Sequence, residues 1–86
     1  MGGPPLLKNT IKVHRAMKDW TQEELARQTG VTRKTINTIE NGIYVPSTVL
    51  ALRMARVFGV AVEDVFQLAE PFPADDNEEN IRRNSR

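Results

Sequence analysis

Cysteine is missing from all 86 residues, which excludes a disulfide framework and a thiolate metal site and leaves packing alone to hold a core. Aromatics are scarce: Trp20, Tyr44 and three phenylalanines. Histidine occurs once, as His14. A lone imidazole with no cysteine and no nearby carboxylate cluster is poor metal chemistry, so no metal or cofactor is expected, and His14 reads as a structural or surface residue. No apolar run approaches the roughly 20 residues that a membrane span needs, and residues 1–8 lack the charged start and long apolar stretch of a signal peptide. A soluble, cytoplasmic chain with no membrane partner is the expectation. Catalytic machinery is equally scarce. No serine or cysteine nucleophile stands near a base, and there is no glycine-rich phosphate loop or evident pair of carboxylates, so an enzyme is not expected.

Charge of one sign is also lacking overall, at a net +1, which by itself argues weakly against nucleic acid. The average conceals an asymmetry. Between residues 8 and 46 stand seven basic residues, Lys8, Lys12, Arg15, Lys18, Arg27, Arg33 and Lys34, against four acidic ones, Asp19, Glu23, Glu24 and Glu40. From residue 57 to residue 80 every charge is acidic. A positive face and an acidic end are therefore separate.

The length suits one domain. Residues 1–7 read as a flexible lead or short strand and residues 8–69 as the folded unit. Residues 70–86 hold Pro71, Pro73 and clustered charges, with only Phe72 and Ile81 as sizeable apolar residues. Such a stretch buries too little to offset its ordering entropy, so it reads as a disordered charged tail.

Within the unit, turn signals divide five short helices. The first runs from about Asn9 to Lys18, with Ile11, His14 and Met17 or Lys18 toward the interior, and Asp19 closes it. Thr21 caps the second, with Glu24 expected to reach back to the Thr21 N–H and with Trp20 and Leu25 placed as a hydrophobic staple. Gly30 suits a left-handed exit and a tight turn. Thr32 caps the third helix, which turns Ile36 and Ile39 inward and ends at Asn41 and Gly42. Ser47 caps a fourth, whose Val49, Leu50, Leu52, Met54, Ala55, Val57 and Phe58 read as the core floor. After Gly59 a fifth helix is expected over residues 62–68, with Glu63 and Asp64 complementing its dipole.

On the third helix Arg33, Lys34, Asn37, Thr38 and Asn41 form a polar stripe opposite Ile36 and Ile39. Arg and Lys can donate to guanine, Asn can pair with adenine, and a Thr methyl can touch thymine. Thr32 and Thr35, at the helix start, and Gln22, at the start of helix two, can hold phosphate. On composition alone, a plain solvated face explains the stripe equally well. Two short helices around a glycine turn, the second basic on its outer side, match the arrangement that enters a DNA major groove.

The run TQEELARQTGVTRKTINTIENG, residues 21–42, resembles the helix-turn-helix of the prokaryotic Cro and lambda-repressor (XRE) family, and the resemblance continues through residues 44–66. The resemblance implies an all-α, five-helix, lambda-repressor-like fold. It also implies that Gln22 meets phosphate, that Arg33, Lys34 and Thr38 face base edges with Asn37 a further candidate, and that Thr32, Thr35 and Asn41 approach the backbone. Arg15 is implied to pair with Glu40. Tyr44 borders the DNA in this family, and covering the core edge is an equal alternative for it. Within the family the chain is most similar to the short dimeric regulators of the cytolysin-repressor type. There the chain ends add a small β-ribbon, here Pro5, Leu6 and Leu7 against residues 66–69. Leu6, Leu7, Phe66 and Leu68 are the dimer candidates. Thr29 and His14 depart from the family's apolar preference, and Ala61 from its usual cap.

The implied function is a homodimeric transcription regulator, a repressor by likeness, that binds a pseudo-palindromic site in double-stranded DNA. Two alternatives stay open. One is the antitoxin of a toxin–antitoxin pair, gripping a toxin or other protein through residues 70–86. The other is a protein-interaction module that has lost DNA.

Overall fold

In the computed structural model, which describes residues 7–69, three of the helices open on a hydroxyl side chain that accepts a backbone N–H. Thr21 Oγ1 accepts from Glu24 N at 3.0 Å, Thr32 Oγ1 from Thr35 N at 3.2 Å and Ser47 Oγ from Leu50 N at 3.1 Å. Each contact satisfies one of the donors that a helix start leaves without a partner. The elements follow as β1 (Leu7–Asn9), α1 (Ile11–Lys18), α2 (Gln22–Thr29), α3 (Arg33–Glu40), α4 (Thr48–Phe58), α5 (Val62–Val65) and β2 (Phe66–Leu68). The expected architecture of five helices with a small ribbon is present. The lead over residues 1–6, Leu6 as a contact and the charged tail over 70–86 lie outside the described residues.

Ile11, Leu25, Ile36, Ile39, Met54 and Val65 are fully buried and draw on every helix, with Leu50, Phe58 and Phe66 completing the core. Trp20 stacks on Phe58 at 5.8 Å between ring centroids, and His14 lies 5.2 Å from the same ring with its Nε2 3.1 Å from the Asp64 carbonyl. His14 thus packs α1 against α4 and α5. Thr29 is buried, and its hydroxyl donates to the Leu25 carbonyl at 2.8 Å, so the polar atom in an apolar position is satisfied within its own helix. Ala61 offers no capping side chain. Asp64 compensates by accepting the Ala61 N–H at 3.1 Å.

Several expectations are corrected. The fifth helix stops at Val65 after one turn, because Phe66 takes extended angles (φ −125°, ψ 132°) and begins β2. The ribbon pairs Leu7 with Leu68, Lys8 with Gln67 and Asn9 with Phe66, antiparallel, so it reaches two residues further into the chain on the N-terminal side than the run Pro5, Leu6, Leu7 suggests. Asn9 belongs to this strand, and α1 begins only at Ile11. Met17 is 75% exposed rather than turned inward. On α4, Leu50, Met54, Ala55 and Phe58 fill the core while Val49 and Leu52 stand more than half exposed on the opposite face. At 100° per residue these two sets cannot share one side of a helix. The Glu24 carboxylate does not return to Thr21 but binds Arg27 and Gln28 further along α2. Phe66, a dimer candidate, is only 9% exposed and serves the core of the single chain.

Candidate nucleic-acid interface

α2 and α3 meet at a turn set by Gly30, whose φ of 78° is strained for any residue with a Cβ. Thr32 then restarts the helix. Its hydroxyl lies 3.0 Å from that of Thr35, so the two expected phosphate-binding hydroxyls of the α3 N-terminus face each other. Ile36 and Ile39 sink into the core and thereby orient the remainder. Arg33, Lys34, Asn37, Thr38 and Asn41 span about 140° of the opposite circumference. Arg33, Lys34, Asn37 and Asn41 are exposed and Thr38 is half-buried.

The exposed face has structure across it. Arg33 borders a depression shared with Thr21, Glu23, Glu24 and Arg27 on the α2 side, while Lys34, Thr35 and Thr38 border another closed by Ile43 and Tyr44. Thr38 fixes that second edge. Its carbonyl accepts the N–H groups of Ile43 at 2.9 Å and Tyr44 at 3.2 Å, and its hydroxyl donates to the Thr35 carbonyl at 2.9 Å. Tyr44 is consequently held beside the stripe with half of its surface open.

The end of α3 is anchored by charge. Arg15 Nε donates to Glu40 Oε2 at 2.7 Å and Nη2 to Oε1 at 3.2 Å, while Nη1 donates to the Trp20 carbonyl at 3.0 Å. The Glu40 side chain is 1% exposed, so its carboxylate depends on these donors for the solvation that water no longer supplies. Gln22 Nε2 joins them, donating to Glu40 Oε1 at 3.0 Å and to Asn37 Oδ1 at 3.2 Å, and Asn41 Nδ2 donates to the same Asn37 oxygen at 3.4 Å. Both amide hydrogens of Gln22 are therefore committed inside the protein. Asn37 has its carbonyl engaged and its amide hydrogens outward in role, as donors.

Asn9 is a positioning residue that the sequence reading missed. Its Nδ2 donates to the carbonyls of Ile39 at 3.1 Å and Glu40 at 3.4 Å, and its Oδ1 accepts from Ile11 N at 3.1 Å, so β1 and α1 both tie to the end of α3. An asparagine before a helix reads locally as a cap, and nothing in the chain signals a partner thirty residues away.

Not every cation is available to an incoming anion. The Arg27 guanidinium, followed by the Gln28 amide, holds the Glu24 carboxyl below its ordinary range, and the same contact raises Arg27. Arg27 is thus partly neutralised on the surface. Among the described residues Arg33 and Lys34 enter no ion pair, which leaves α3 carrying uncompensated positive charge beside amide and hydroxyl groups. That combination suits phosphate oxygens and base edges. No helix of the described residues is long and apolar enough to cross a membrane.

The helix-turn-helix family model (HTH_3) matches residues 11–65. An uncharacterized HTH-type transcriptional regulator of Methanocaldococcus jannaschii is 50% identical over 60 residues, which are 70% of this chain and 91% of that protein. YgzD of Bacillus subtilis, of the same description, is 47% identical over 64 residues, 74% of this chain and 97% of its own length. Among solved structures, a candidate DNA-binding protein from Bacteroides fragilis superposes with a TM-score of 0.64 at 28% identity, covering 71% of this chain and 98% of that one.

Proposed function

The chain belongs to the XRE family of helix-turn-helix, DNA-binding transcription regulators, and we propose that it is a cytoplasmic repressor that binds a pseudo-palindromic operator as a homodimer, one α3 in the major groove of each half-site. One observation carries this reading. The exposed side of α3 offers Arg33, Lys34, Asn37, Thr38 and Asn41 without an acidic residue, while its buried end is held by the Glu40 carboxylate and three donors from α1 and α2. A reading helix needs both, because a base contact made from a loosely held helix loses its discrimination between base pairs.

Arg33 and Lys34 read guanine edges, Asn37 donates to a base, and Thr38 approaches a thymine methyl. Thr32, Thr35, Asn41 and Tyr44 follow the sugar-phosphate backbone. Gln22 meets a phosphate from the first turn of α2, where its backbone N–H is available while its side chain steadies Asn37 and Glu40. One eight-residue helix reads too few bases for useful specificity, and two copies related by a two-fold axis place their α3 helices about 34 Å apart, one turn of DNA. The ribbon supplies an apolar contact for that pairing: Leu7 and Leu68 are cross-strand partners, and Leu68 is 59% exposed. Occupying an operator suffices for repression, since a bound dimer excludes other proteins from the same base pairs.

The test is retention of fragmented DNA from the protein's own source at two salt concentrations, followed by sequencing. Enrichment of an inverted repeat at the higher salt is the expected result. Retention at low salt without any enriched sequence contradicts specific readout, and no retention at either salt removes DNA from the proposal.

A further inference from the structure

Asn9 joins two parts of the fold that packing leaves incompletely matched. It stands in β1, where it pairs with Phe66 of β2. Its Nδ2 donates across thirty residues to the carbonyls of Ile39 at 3.1 Å and Glu40 at 3.4 Å, in the last turn of α3, where internal helix bonding runs out. Among the described residues no other hydrogen bond or ion pair runs from the ribbon to α3. Apolar contact along the same seam has a gap: Leu7, Ile39, Tyr44, Val45, Pro46 and Phe66 border a groove of about 230 Å³, room for several water molecules.

The other fastenings at this end of the ribbon go to α1 and α5. Thr10 N donates to the Val65 carbonyl at 2.9 Å and Thr10 Oγ1 to the Asp64 carbonyl at 2.6 Å, while Asn9 Oδ1 accepts the Ile11 N–H at 3.1 Å. Arg15 and Gln22 hold the same end of α3, but from α1 and α2. They fix α3 among the helices, and Asn9 fixes it directly to the ribbon. The angle between ribbon and α3 acts through a long lever. With two α3 helices about 34 Å apart, each stands about 17 Å from the two-fold axis, so a tilt of about 6° in each protomer changes their separation by about 3.5 Å, close to the ~3.4 Å rise of one base pair.

We propose that Asn9 sets the operator spacing that the protein accepts: by holding the end of α3 against the β1–β2 ribbon, it fixes the distance between the two reading helices of the dimer. This rests on the ribbon-paired dimer proposed above. The Asn9 amide is committed to the two carbonyls, so the residue acts through α3 and not on DNA itself. Its chemistry suits the role, because two amide hydrogens meet two adjacent carbonyls while the oxygen takes the Ile11 N–H, and the group is held at both ends. Loss of the amide donor leaves each α3 able to read a half-site, since Arg15 and Gln22 still anchor Glu40. It frees the two helices to settle at several separations. Selectivity for spacing is then lost before selectivity for bases.

The experiment uses the full chain and its Asn9→Asp variant, which keeps an oxygen for the Ile11 N–H but sets a carboxylate against two carbonyls. If circular dichroism shows that variant unfolded, Asn9→Ser, whose hydroxyl still accepts from Ile11, takes its place. Fluorescence anisotropy is measured on duplexes carrying one half-site of the enriched repeat, and on duplexes carrying two half-sites whose spacing changes one base pair at a time. The wild type is expected to lose about tenfold for a shift of one or two base pairs, the scale of one mismatched pair. The variant is expected to vary within about threefold over the same series, the worth of one weak hydrogen bond, with half-site affinity close to that of the wild type. Gly59→Ala, which strains the end of α4 without touching the link, is expected to keep the wild-type profile. An equal loss at every spacing makes Asn9 merely structural and overturns the proposal, as does a flattened profile in Gly59→Ala. A wild type that binds the half-site with no preference among spacings removes the ribbon-paired dimer and the role of Asn9 with it, while the reading by α3 stands. Failure to bind any duplex overturns the reading by α3 as well.

Discussion

Arg15 and Glu40, twenty-five positions apart, are joined by two hydrogen bonds, Nε to Oε2 at 2.7 Å and Nη2 to Oε1 at 3.2 Å, across the junction of α1 and α3. The carboxylate is almost wholly buried, so the pair fixes where α3 ends relative to the rest of the domain. Arg15→Ala removes two of the three donors and leaves Glu40 with only Gln22. The expected loss is about 3 kcal/mol of stability in urea denaturation. A loss below about 1 kcal/mol, the range of exposed pairs, would show that the carboxylate is solvated some other way.

Arg33 and Gln22 test different parts of the interface. Arg33→Ala is expected to lose about 1–3 kcal/mol at the cognate operator and to relax preference at one base position. Gln22→Ala keeps its backbone N–H and removes the side-chain donor to Glu40 and Asn37, so it is expected to weaken all sequences by similar factors through a less firmly held α3. Equal, sequence-independent losses from both variants in a competition binding assay refute this division of roles.

Two helix ends measure backbone strain without side-chain packing. Gly59 holds φ 76° with nothing within 4 Å of the position a Cβ takes, so Gly59→Ala is expected to cost about 1–2 kcal/mol from conformation alone. Asp19 holds φ 62° at the end of α1, and Asp19→Gly is expected to return up to about 1 kcal/mol. Denaturation midpoints should move in opposite directions with unchanged slopes; movement in the same direction contradicts the argument.

Leu68 and Phe66 are two residues apart on β2, yet Leu68 is 59% exposed and Phe66 only 9%. Leu68→Glu is expected to shift sedimentation toward monomer while the circular dichroism spectrum and the single-chain fold persist. Phe66→Glu places a charge in the core and is expected to unfold the domain at room temperature. A Leu68→Glu protein that still sediments as a dimer moves the interface away from the ribbon, with the exposed Val49 and Leu52 face of α4 the next surface to vary.

Local chemistry made much of this protein legible. Thr21, Thr32 and Ser47 cap by bonding N–H groups three residues ahead, so their sequence context suffices. The polar stripe of α3 and the inward Ile36 and Ile39 follow from a period of 3.6 residues. The failures lie where composition was read without phase. Val49 and Leu52 are apolar enough for a core, but their angular position on α4 turns them outward once Leu50, Met54 and Phe58 are inside. Residues 66–68 suit a helix and a strand alike, and pairing with Leu7–Asn9 decides between them.

What the sequence alone determined is therefore the set of helices, their caps and the face of α3 that remains polar, because these depend on contacts within one or two turns. Tertiary structure decided the rest. Asn9 tied to the carbonyls of Ile39 and Glu40, Gln22 held between Glu40 and Asn37, and Tyr44 set between two depressions all join positions far apart in the chain. A hydrogen bond across fifteen or thirty residues exists only after both ends have been brought within about 3 Å by the packing of the core, and that packing is a property of all the helices together.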